Sequence, residues 1–486
     1  MRAVVSILAI FFIFAADVVD VCAYTIRITC RAKGREKELC EEALKEWVEQ
    51  FGGEHTVDIV TLPHASNECF ALYQQWLSAE SFDIDILQMD VAWVGVFSDY
   101  LESLDQYYKD DPIETDNYFD AIKANMYKDG KLLALPWYTD CGVIYYRKDL
   151  LEKYNKPIPS TWEELYETAL YIQKQERKKP EIGGKFFGFI FQAKAFEILT
   201  CNFIEFIDSF GGKILQNGKV TIDSDKCIDA TMFMVKSMEN INSRGALNYS
   251  EEDARGVFQS GNAAFMRSWP YAWALMNEPS TAVSGKIGVM PIPPSANGGK
   301  SSGVLGGWFL GVSKYSKNKA LAADLIKFLT SKIQQKKRAK YSYLPTFKDL
   351  YTDIEVLEKN AFFETLYQSL DNAVARPSIE FGKSYPRVSA EIYNTLNTIL
   401  TQSLEDGKNT RKDVAYAISK LFKNLEKILR KNADRTNQKE KKLALLQRFR
   451  AYLGSLFSLT DDDTQKISNA KATTQMTNNR STKRGS

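Results

Sequence analysis

Three short apolar segments separated by two helical ones open the chain, and that alternation limits the fold more than any other feature. Residues 25–30 alternate in polarity as a half-buried strand does, 57–62 repeat the pattern, and 84–87 form a third run bounded by polar side chains. Between them Leu39, Ala43, Leu44, Trp47, Val48 and Phe51 recur on one face of a helix over 36–51. Ser66 stands where a cap would start a second helix, reaching about residue 79. A βαβαβ opening predicts an α/β fold with a mostly parallel sheet, its ligands gathered beyond the carboxyl ends of the strands. Asp90, Trp93 and Asp140 lie just after such strands or beside them.

The stretch 135–150 combines two kinds of signal. Residues 142–146 are β-branched and aromatic, as in a buried strand, and 148–151 turn out of it. Trp137, Tyr138 and Asp140, just before that strand, are harder to explain by packing. Rings with polar tips beside an acceptor-only carboxylate suit a ligand with apolar faces and many hydroxyl donors, as a sugar has. A second α/β unit follows: Ser160 or Thr161 caps a helix to about 177, 186–191 reads as a strand, and 196–210 as a helix ended by Gly211 and Gly212. The strand 262–267 delivers Trp269 and Tyr271, 287–291 is a further strand, and 303–311 is glycine-rich around Trp308. An amphipathic helix covers 320–330, and the pattern beyond 346 is helical, interrupted chiefly at Ala375, Arg376 and Pro377.

Length and charge narrow the class. With 486 residues and 44% hydrophobic content, the chain holds two or three globular units. Its net charge of +2 arises from 63 basic and 61 acidic residues interleaved along the chain, which argues against nucleic acid as a partner. Residues 1–23, with Arg2, an apolar run over 3–16 and Val21-Cys22-Ala23, read as a secretory signal, so the product is expected to be soluble and periplasmic or secreted. Export permits disulfides; Cys30 and Cys40 are the first candidate pair, with buried free thiols as the alternative. From 431 onward the composition turns basic and polar, and 461–486 offers almost nothing to bury, which predicts a largely disordered tail.

Five segments in order resemble the extracellular solute-binding proteins of ABC importers, especially their trehalose- and maltose-binding branch. They are 81–93, 136–151, Phe265 to Tyr271, Gly306-Gly307-Trp308 and Ala375-Arg376-Pro377. The resemblance spans roughly residues 25–430. It implies two α/β lobes, 24–139 with 291–341 and 142–290 with 346–430, joined by three crossings near 139–142, 288–292 and 342–346, with the sugar in the cleft between them. It implies that Asp90 and Asp140 accept from sugar hydroxyls, and that Tyr138, Trp269, Tyr271 and Trp308 form aromatic walls, with Trp93 nearby. Gly306 and Gly307 would admit the ligand to the backbone, and Arg376 would donate in a fork. The implied partners are a small-molecule sugar and the permease subunits of an importer, the protein itself being a monomer that closes by hinge motion. One departure stands out: the loop after the first strand carries Arg31, Lys33 and Arg35 where many relatives have small or acidic residues, so the far end of the ligand would be held differently.

Blander readings exist for each residue. Most of the eight Trp and 24 Tyr simply fill space, Asp140 could cap a turn, and Arg376 could pair with a carboxylate across the lobes. Residues 297–301 look briefly like the end of a phosphate loop, but Pro294 occupies the position of its first glycine. With only His55 and His64, no G-x-S-x-G elbow and no paired ligand spacing, neither a metal site nor any cofactor is expected. The rival to a binding protein is a secreted glycoside hydrolase with Asp90 and Asp140 as its two carboxylates.

Overall fold

Residues 23–31, 35–63, 65–182, 184–301, 303–406 and 410–432, with 434, 447 and 448, are described by the computed structural model. The expected signal segment up to residue 22 and nearly all of the basic tail lie outside them. The chain divides into two compact units, Met1–Phe422 and Lys423–Ser486. The second is helical over 423–432, and all that follows concerns the first.

Strands appear in this order: β1 (Thr25–Arg31), β2 (Thr56–Leu62), β3 (Ile86–Asp90), a short pair β4 (Tyr127–Lys128) and β5 (Lys131–Leu132), β6 (Leu135–Cys141), β7 (Val143–Arg147) and β8 (Phe187–Ile190). A second short pair, β9 (Leu215–Gln216) and β10 (Lys219–Val220), precedes β11 (Ala263–Ser268), β12 (Ile287–Pro291) and β13 (Leu305–Val312). The first sheet runs β2-β1-β3-β13-β6 and the second β12-β7-β11-β8.

The opening alternation forms the parallel part of the first sheet, β1 pairing in parallel with both β2 and β3. The sheet is nevertheless mixed, because β13 returns from far along the chain and lies antiparallel to β3 and β6. The glycine-rich run around Trp308 is thus a buried interior strand, and the aromatic stretch Leu135–Cys141, which the sequence pattern set apart from the strand after it, is the equally buried last strand of that sheet. Both carry side chains buried on two faces, so neither shows the two-residue alternation that marks a half-exposed strand. In the second sheet β7 is antiparallel to β11 and β12, and β11 is parallel to β8. Of the two expected caps one holds: Thr161 accepts from the Glu164 amide and the helix Trp162–Glu176 follows, whereas Ser66 is itself the first residue of the helix Ser66–Ser78, with Ala65 at the cap position. The Trp162 ring stacks on Phe206 at 4.5 Å in the core over the second sheet.

The chain passes between the sheets by short routes. From β6 to β7 the only residue is Gly142, and a Cβ there would come within 1.7 Å of the Glu205 carboxylate. Residues 292–304 make the second passage. The third is drawn out: Leu344, near its expected position, still accepts from the Thr139 amide of β6 at 2.8 Å. The chain then pairs Val374 with Val304, and its helix Tyr385–Asp406 packs on the helices Glu197–Ser209 and Asp225–Asn240 of the second sheet's side. Cys30 and Cys40 are disulfide-bonded, whereas Cys69, Cys141, Cys201 and Cys227 are buried thiols, so each of the two cysteine readings holds for part of the set.

Candidate functional site

A cleft enclosing about 570 Å³, part of it open to solvent, brings together side chains from widely separated segments. From the first sheet come Asp90 at the end of β3, Tyr138 and Asp140 on β6, and Gly306, Gly307 and Trp308 on β13. Trp269 and Tyr271 arrive from the end of β11 and Arg376 from the third passage. Sheet register explains the first group: Trp308 lies opposite both Asp90 and Tyr138, and Gly306 opposite Asp140.

Trp93 is the exception among the residues singled out from the sequence. It does not line the cleft. It packs with Phe70, Tyr73 and Phe97 and meets Trp308 edge-on, ring centroids 5.5 Å apart. The turn Val91–Trp93, capped by Asp90, points the ring back into the first sheet's core, where burying so large an apolar surface is favourable.

Each indole wall of the cleft is backed by a buried guanidinium. Arg267 lies 4.0 Å from the Trp269 ring and gives two hydrogen bonds to Glu205, at 2.8 and 2.5 Å. Arg31 lies 4.1 Å from the Trp308 ring and 3.8 Å from Glu36. Burial is the largest single influence and would lower the pKa of either arginine, but the surrounding acidic groups, the adjacent glutamate first among them, together outweigh it and raise both. The charged loop noted in the sequence therefore sends Arg31 inward, against an aromatic wall; Lys33 lies outside the described residues.

Arg376 holds a carboxylate from each side. One nitrogen donates to Asp90 at 2.5 Å and another to Glu197 at 3.0 Å, and Tyr385 and Ser389 also donate to Glu197. Each terminal nitrogen thus already gives one bond to a protein carboxylate, so a fork toward a ligand would have to use the remaining N–H groups. The alternative of a cross-lobe ion pair describes the geometry. Asp90 also accepts from the Ala92 amide through the same oxygen that takes Arg376.

The two glycines also serve packing. A Cβ on Gly306 would meet the Trp269 ring at 2.9 Å, and Gly307, with φ +111°, would press a Cβ on the Tyr138 carbonyl at 2.5 Å. They allow close packing of the second indole and of β6 against β13, while still lining the cleft. Tyr138 supplies a buried phenol whose oxygen has no hydrogen-bond partner among the described residues, and burial pushes its pKa well up, so it remains a proton donor. Glu36, Glu197, Glu251 and Tyr343 also line the cleft. Nothing in their local sequence pattern distinguishes them from surface or core residues. Among the described residues no group of three or more His, Cys, Asp or Glu could hold a metal ion, and no helix is long and apolar enough to cross a membrane.

Residues 41–336 match the family described as bacterial extracellular solute-binding protein. A probable ABC transporter-binding protein of Deinococcus radiodurans is 40% identical over 390 residues, covering 79% of this chain and 91% of that relative. Maltose-bound T. maritima MalE3 superimposes with a TM-score of 0.75 at 36% identity, covering 83% of this chain and 100% of the other. The GacH receptor of Streptomyces glaucescens, solved with acarbose, gives a TM-score of 0.71 over 84% of this chain and 99% of its own; at 22% identity it supports the two-lobed fold alone. These likenesses are to proteins that bind rather than transform their solutes, which sets aside hydrolysis by Asp90 and Asp140. The chain belongs to the bacterial extracellular solute-binding protein family.

Proposed function

We propose that this protein is the carbohydrate-binding component of an ABC import system. It captures an α-linked disaccharide or short oligosaccharide of the trehalose or maltose kind and delivers it to a membrane permease. One observation carries the reading: two indoles and a partnerless buried phenol, from three distant segments, line one cleft together with five carboxylates. Aromatic faces pack on the apolar C–H faces of pyranose rings, and carboxylates accept from their hydroxyls. The 36% identity to a maltose-bound neighbour favours this sugar class over other polyols. The sites are Asp90, Tyr138, Asp140, Trp269, Tyr271, Gly306, Gly307 and Trp308, with Arg376 holding Asp90 in place. The lobes, 24–139 with 291–341 and 142–290 with 346–430, close on the ligand by hinge motion.

Calorimetric titration with maltose, trehalose, maltotriose, mannitol and ribitol tests the proposal. The expected result is saturable heat with at least one α-glucoside, unchanged sugar on recovery, and a loss of roughly tenfold or more in affinity for Trp269→Ala. Binding of the polyols alone would overturn the disaccharide assignment, and release of glucose would reinstate hydrolysis.

A further inference from the structure

Glu197, the first residue of the helix Glu197–Ser209, lines the cleft from the second sheet's side. Its own oxygens are largely occupied: Oε1 accepts from Arg376 at 3.0 Å and from the Tyr385 hydroxyl at 2.5 Å, and Oε2 accepts from the Ser389 hydroxyl at 2.5 Å. A carboxylate so engaged has little left to offer a sugar. What it holds is Arg376, whose other terminal nitrogen donates to Asp90 Oδ1 on the first sheet. The Ala92 amide donates to that same oxygen. Asp90 Oδ2 takes no donor from the described residues, and the Asp90 side chain keeps 13% of its surface exposed, against 3% for Arg376. The free oxygen therefore belongs to the reachable member of the cluster, which lines the cleft.

We propose that Glu197 is a positioning residue for sugar capture: through Arg376 it fixes the rotation of the Asp90 carboxylate, so that Oδ2 is presented to a ligand hydroxyl. The inference rests on the sugar-binding reading above. Its physical basis is the planar guanidinium, whose nitrogens keep a fixed spacing, so that anchoring one of them at Glu197 sets the direction in which the other meets Asp90. Tyr385 and Ser389, both on the helix Tyr385–Asp406, in turn anchor Glu197. An acceptor on the first sheet is thereby oriented by two helices that pack on the second sheet's side.

A double-mutant cycle on the full chain, read by calorimetric titration with maltose and with trehalose, tests this. Glu197→Gln keeps the size of the side chain but removes the charge that anchors Arg376, and is expected to weaken binding about tenfold. Asp90→Asn keeps its amide oxygen against the two protein donors and turns an amide nitrogen toward the ligand, so no acceptor is left to orient. In that background Glu197→Gln should weaken binding less than about twofold, while in a Trp269→Ala background the full tenfold should remain. A residue that merely supports the fold would give the same loss in both backgrounds. Arg376→Lys, which keeps a positive charge but lacks the fork needed to reach both carboxylates, supplies a second cycle with the same expectation should Glu197→Gln not fold. Equal losses in the two backgrounds, or undiminished affinity in the single variant, would overturn the proposal and leave the sugar-binding reading standing. Failure of the unaltered protein to bind either sugar would overturn both.

Discussion

The two indoles of the cleft are held by different means. Behind Trp269, Arg267 and Glu205 form a two-point pair whose side chains are each only 2% exposed, and Glu205 also accepts from the Val304 amide on the second passage between sheets. Behind Trp308, Arg31 lies 3.8 Å from Glu36, and Glu36 also accepts from Gln88. The first wall is therefore tied to the chain segments about which the lobes would move. The second is tied to a local loop closed by the Cys30–Cys40 disulfide. One side of the cleft is thus fixed by a segment that passes between the sheets and the other by a local loop.

The contrast can be broken first at Arg267. Arg267→Met strands the buried Glu205 charge and is expected to destabilise the protein by roughly 3–5 kcal/mol in urea unfolding, whereas Arg267→Met combined with Glu205→Met should recover most of that loss. If the single variant is no less stable than the double, the pair is not what secures the Trp269 wall. On the other side, opening the disulfide with Cys30→Ala and Cys40→Ala should lower stability by about 2–3 kcal/mol, as expected for a loop of ten residues' separation. Sugar affinity measured by calorimetry should fall through the Trp308 wall alone. The smallest effect is expected for Arg31→Met, about 2 kcal/mol in stability, because the buried Glu36 it leaves behind still accepts from Gln88, with a several-fold loss of sugar affinity. An effect as large as that of Arg267→Met would erase the distinction between the two walls.

How much of this was legible in the sequence depends on how far apart the interacting residues are. The opening strands and helices announce themselves because their period is local: Leu39, Ala43, Leu44 and Trp47 are all buried on one face of the helix Glu36–Trp47. Strand β13 did not announce itself, since its eight residues are buried throughout and show no alternation. Tyr138, Asp140, Trp269 and Trp308 were recognisable through their order along the chain and their unusual neighbours. Glu36, Glu197 and Tyr343 were not, because each is ordinary where it stands and becomes a cleft residue only through contacts with segments far away.

By itself the sequence determined the α/β class, the positions of most elements, the resemblance that named the family, most of the cleft's aromatic groups and two of its five carboxylates. All of these follow from local periodicity, caps and the succession of motifs. Only the tertiary structure decided that Trp93 belongs to the core and Trp308 to the cleft, although both are indoles near the end of one strand pair. It also decided that Arg376 is engaged by Asp90 and Glu197, separated from it by 286 and 179 residues. The physical reason is common to both. Which face of a ring is buried, and which carboxylate neutralises a guanidinium, depends on what packs against it in space, and no pattern of neighbouring residues encodes that.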